Sequence, residues 1–161
     1  MGGGEATRLQ WSGAQLVVAV FDDWETLHPV LVWMESDKAA SRPATLLHAR
    51  NDVPPEVLGS SLLKHTTELR FKRRLRRIAC TKGELAKALS ERSVKGASTL
   101  ADALDDWLGS TQAKQLETHL ESGHVVLCVE LRTYEDLSVV CGRLARASPH
   151  LIELSNVSLD S

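Results

Sequence analysis

The sequence predicts an α+β protein made of a duplicated β-α-β unit, on three observations. Residues 16–27, LVVAVFDDWETL, return as VLCVELRTYEDL at 126–137, a constant offset of 110. Each copy passes from a β-branched apolar run through a helical pattern to a second apolar run. A long segment, residues 51–123, separates the copies and is patterned mostly as helix. The chain has 161 residues, 43% of them hydrophobic and 25% charged, which suits one globular domain with its own core and excludes wholesale disorder.

In order along the chain, residues 1–14 begin MGGGEATRLQ and read as a flexible tail that Trp11 could pin. They show no secretory signal, and Ala6 breaks the myristoylation pattern. The first β-α-β unit spans 15–50. Its strand is the run LVVAVF, far too short to cross a membrane. Asp23 is the expected helix cap, and Trp24, Leu27, Leu31 and Met34 form the buried stripe. Pro29 inside that pattern predicts a kink or a later helix start. ATLLHAR at 44–50 is the second strand.

The second unit, residues 124–159, mirrors the first. Thr133 caps, Tyr134, Leu137, Cys141 and Leu144 form the stripe, and LIELSNVSL is the closing strand. Each unit makes a right-handed crossover between parallel strands. Interleaving them gives an antiparallel four-stranded sheet with both helices on one face, the split β-α-β or ferredoxin-like arrangement. Residues 15–160 then form a single domain.

Within the insertion, 51–61 (NDVPPEVLGSS) reads as a linker. Phe71, Leu75 and Ile78 stand at i, i+4 and i+7, which predicts an amphipathic helix with basic outer faces. Thr81 and Glu84 form a capping box before a helix carrying Leu85 and Leu89. Ser98 or Thr99 caps the next, with Leu100, Leu104, Trp107 and Leu108 inward and Gly109 as its stop. Ser110 or Thr111 caps the third, which buries Ala113, Leu116 and Leu120 and stops at Gly123.

FDDWETL after the first strand, CTKGELAKAL at 80–89 and DALDDWLGSTQAKQLETHLESGHVVLCVEL at 102–131 resemble small bacterial proteins of the general-stress or heat-induced-stress domain type. The resemblance covers residues 16–159. It implies a ferredoxin-like α+β domain with no known catalytic site and an association with stress. Some relatives carry a Gly-rich apolar insertion between the halves; this chain has a basic helical segment there instead.

The search for chemistry is largely negative. There is no glycine-rich phosphate loop and no G-x-S-x-G nucleophile elbow. The six histidines, His28, His48, His65, His119, His124 and His150, contain no i, i+4 ligand pair; His119 and His124, five apart across a helix stop, read as surface or cap histidines rather than metal ligands. Asp22-Asp23 and Asp105-Asp106 are neighbours in sequence, and neighbours on a helix point apart, so neither is an acid–base dyad. The first pair suits a helix cap and the second a solvated face. Cys80, Cys128 and Cys141 lack CxxC spacing and read as reduced thiols of a cytoplasmic protein. Cys80, beside many cations, is the one candidate for a reactive thiol. Trp24, Trp33 and Trp107 sit on or beside helical stripes, as packing residues. No catalytic residue, cofactor or metal site is predicted.

One polar feature stands out. Arg70, Lys72, Arg73, Arg74, Arg76 and Arg77 place six cations in eight residues. The net charge of −2 conceals a division: residues 64–77 carry +6 and the remainder −8. The basic face either docks on acidic surface of this fold or a second subunit, or binds a phosphate-rich partner. Phe71 alone does not make a base-stacking platform.

The leading expectation is a non-enzymatic domain acting through protein contacts as a homo-oligomer, since the helical stripes exceed what one four-stranded sheet covers. The alternatives are nucleic-acid or polyanion binding through residues 70–77, and a small-molecule sensor.

Overall fold

The computed structural model describes residues 15–36, 44–49, 52–58, 67–69, 78–80, 84–94, 96, 99–131, 134–147, 149 and 151–156. The elements are β1 (Gln15–Phe21), α1 (Trp24–Ser36), β2 (Ala44–His48), α2 (Pro55–Leu58), β3 (Thr67–Leu69), β4 (Ile78–Cys80), α3 (Glu84–Val94), α4 (Leu100–Leu108), α5 (Ser110–Glu121), β5 (Val125–Leu131), α6 (Tyr134–Arg146) and β6 (Leu151–Asn156). The protein is α+β.

The strands form one sheet in the order β3-β4-β2-β5-β1-β6. All pairings are antiparallel. The four strands of the two β-α-β units are contiguous within it, with β1 and β5 central. Val17 sits opposite both Val129 and Leu154, which fixes the register of the three strands around β1. The expected sheet of four strands is corrected to six. The extra pair, β3 and β4, comes from the segment expected to be helical and extends the sheet beyond β2.

Both faces of the central strands β2, β5 and β1 are covered, and that explains the continuous apolar runs. A strand buried on one face alternates, whereas one buried on both does not. Residues 16–21 are all buried. Leu16, Val18 and Val20 join Leu47, Val126 and Cys128 in a core closed by Leu85 and Leu89 of α3, Leu100 and Leu104 of α4, and Leu116 and Leu120 of α5. Val17, Ala19 and Phe21 join Leu46, Leu127 and Val129 in a second core closed by α1 and α6. The insertion is therefore a third layer that roofs the face left open by α1 and α6. The surplus of helical stripe behind the oligomer expectation is satisfied within the chain.

Several helix ends follow the expected chemistry. Asp23 Oδ1 accepts from the Thr26 backbone N–H at 2.9 Å and from its hydroxyl at 2.7 Å. Thr99 Oγ1 accepts from the Asp102 N–H at 3.1 Å. α1 starts at Trp24 and runs past Pro29, so the later start is corrected. An interior proline costs about 3 kcal/mol. Full burial of a large apolar side chain returns about 1.5–3 kcal/mol each, and Trp24, Leu27, Val30 and Leu31 are all buried. α5 has no side-chain cap: Gly109, at φ +83°, ends α4 and opens α5, so neither Ser110 nor Thr111 fills that role. The expected linker contains α2, whose Val57 enters the second core.

The helical reading of residues 70–78 fails at its described end. Ile78 opens β4 and pairs with Leu69 of β3. Residues 70–77, with all six predicted site cations, lie outside the described residues, as do residues 1–14, Thr133, His65 and His150.

Candidate functional site

One end of the sheet holds Asp22, His48 and His124, and strand register shows why. Phe21 at the end of β1 lies opposite Val125 at the start of β5, so Asp22 and His124 meet just beyond. On the other side of β5, Leu47 faces Val126, which brings His48 to the same end. His48 in turn faces Ala79, and Ile78 before it pairs with Leu69. Arg70 and Arg77 directly follow and precede that last pair. The ends of β3 and β4 at Leu69 and Ile78 thus lie at the same end of the sheet as Asp22, His48 and His124.

The turn after α5 builds a histidine pair. Gly123 adopts φ +88°, a left-handed value that suits glycine. Its N–H donates to the Leu120 carbonyl at 3.1 Å, and the His124 N–H donates to the His119 carbonyl at 3.0 Å. These two bonds make a Schellman motif, which brings the third residue from the helix end against the second residue past it. Here those residues are His119 and His124. Their Nδ1 atoms are 2.9 Å apart, so one ring donates and the other accepts. His124 Nε2 lies 3.5 Å from Asp22 Oδ1. The line Asp22–His124–His119 ties β1, β5 and α5 together at the sheet end. Asp22 is well exposed, so its contact with His124 contributes little energy.

His48 is buried and meets Trp24 edge-on, with ring centroids 4.8 Å apart. Trp24 is a core residue, as its place on the stripe predicts. Trp33 is only half-buried, and Arg143 lies over its ring at 5.8 Å. Cys128 is buried and free; Cys141 is half-buried and free, and desolvation raises its pKa above the ordinary thiol value. Cys80 is in β4, and its side chain lies outside the described set.

Among the described residues, no three His, Cys, Asp or Glu side chains converge as metal ligands do. Among them also, no helix is long and apolar enough to cross a membrane. Sequence reasoning recovered the Gly123 stop and the Asp23 cap. It missed the contact of His119 with His124. The signal was present: a glycine at the turn, flanked by histidines at the two positions a Schellman motif joins.

The chain matches no known protein-family profile, no curated protein and no solved structure.

Proposed function

We propose that this is a non-enzymatic binding domain whose contact element is the link between β3 and β4, and whose partner is the phosphate backbone of a nucleic acid. The observation that carries the reading is the pairing of Leu69 with Ile78. Cross-strand partners have Cα atoms about 5 Å apart. The eight residues holding Arg70, Lys72, Arg73, Arg74, Arg76 and Arg77 therefore join two strand ends that are neighbours in the sheet. Six cations tethered there match closely spaced phosphates. The acidic remainder of the chain, at −8, would resist any other part of it lying on the same polyanion.

Binding of this kind positions on the backbone and does not read sequence. Fluorescence anisotropy of the whole chain with short RNA and duplex DNA at low salt should detect binding that is lost when Arg73, Arg74, Arg76 and Arg77 become Ser. Absence of binding to both nucleic acids would overturn the reading.

A second reading is self-association, because β6 has a hydrogen-bonded neighbour, β1, on one side only among the described strands. An exposed edge can continue the sheet into a second copy. Sedimentation should then show a dimer at micromolar concentration, and a strict monomer would exclude it.

The order β2-β5-β1-β6, with α1 and α6 on one face, supports the ferredoxin-like arrangement for the two end units. The resemblance to stress-domain proteins supports a binding role over a catalytic one. Free thiols at Cys128 and Cys141 suit a reducing, cytoplasmic setting.

A further inference from the structure

We propose that the groove between the first turns of α1 and the last turn of α6 binds a small acid, a carboxylate or a phosphate ester, that also carries a hydrogen-bond donor. The groove holds about 330 Å³ and has Arg143 and Arg146 on its α6 side and Glu25, Thr26, Pro29 and Val30 on its α1 side. Ligand clefts run from roughly 300 to 1,000 Å³, so the space admits a molecule of few heavy atoms.

The two walls differ in chemistry. On the α6 wall, Arg143 is steered by the Trp33 ring, 5.8 Å from its guanidinium carbon. A contact with a ring face leaves the in-plane N–H donors available for an oxyanion. Among the described residues, neither Arg143 nor Arg146 forms an ion pair, although Glu25 lines the same groove. The α1 wall offers acceptors. Thr26 uses its hydroxyl hydrogen on Asp23, which leaves its oxygen lone pairs. Pro29 has no N–H, so the Glu25 carbonyl lacks its usual donor four residues on. An acid with its anionic group on the arginines and a hydroxyl or amine toward α1 satisfies both walls.

Both arginines stand in the last turn of α6, where they also complement the helix dipole. That role requires neither a concave wall nor a contact with a ring face. The duplication does not require them either: at the offset of 110, Arg143 corresponds to Trp33 and Arg146 to Ser36.

The test is backbone NMR of the whole chain titrated with sodium phosphate in one series and sodium malate in another, at constant ionic strength. Saturable shifts are expected at Thr26, Val30 and Ala147, with affinity roughly tenfold weaker or worse in Arg143→Gln/Arg146→Gln. Circular dichroism of the double variant verifies the fold. Saturation by phosphate alone assigns a phosphate ester, by malate alone a carboxylate, and by both an acid of either kind. No saturable shift in either series overturns the proposal, as do shifts confined to residues 70–77 or shifts unchanged in the double variant. The nucleic-acid reading rests on a different surface and fails or stands independently.

Discussion

Thr45 is fully buried, yet its hydroxyl has no hydrogen-bond partner. A buried donor without a partner retains its desolvation cost, about 1–3 kcal/mol. Thr45→Val keeps the shape and removes the hydroxyl. It should leave stability unchanged or raise it by about 1 kcal/mol, measured as the urea midpoint at constant slope. A loss of stability would show that the hydroxyl is satisfied in solution. Gly123 shows another residue-scale effect: beyond its chain neighbours no atom of the described residues lies within 4 Å of the position a Cβ would take there, so backbone conformation alone selects glycine.

At the scale of elements, the insertion is held by cross-helix capping. Glu117 of α5 reaches the start of α4, where its Oε2 accepts from the Leu100 N–H at 3.0 Å and the Ala101 N–H at 3.4 Å. Arg92 of α3 donates to the Ala103 carbonyl at 2.9 Å. A carboxylate on first-turn N–H groups also meets the positive end of the helix dipole. Glu117→Ala should cost about 1–2 kcal/mol in chemical unfolding, and Glu117→Gln, which keeps an acceptor, clearly less. Equal losses would assign the effect to packing. The same scale shows what was legible in the sequence. β1, β5, α1 and α6 were, because each carries a long period or an unbroken apolar run fixed by burial. β3 and β4 were not. Each has three residues, too few to show a period, and Phe71, Leu75 and Ile78 happen to satisfy a helical spacing. Long-range pairing of Ile78 with Leu69 overrode that local pattern. The histidine pair escaped because a spacing of five falls on no helix face; only the reversal at Gly123 closes it.

At the scale of the whole molecule, the chain is a three-layer body with its central strands roofed on both faces and Asp22, His48 and His124 at one end of its sheet. The roof shifts the functional reading. An open sheet face would have favoured a second subunit, whereas a closed one leaves the edges and the polar end for contact. On the proposed reading, the acidic remainder of the chain folds and the basic link between β3 and β4 binds. The cations of residues 70–77 were legible as a cluster, but the pairing of the strands on either side of them was not, since three-residue strands show no period. The most direct measurement is the salt dependence of nucleic-acid affinity for the whole chain. Each phosphate neutralised contributes about −0.9 to the slope of log K against log salt on duplex DNA. Engagement of most of the six cations therefore predicts a slope of roughly −4 to −5, falling toward −1 to −2 when four become Ser. A slope near zero, or one that the four substitutions leave unchanged, would contradict the account.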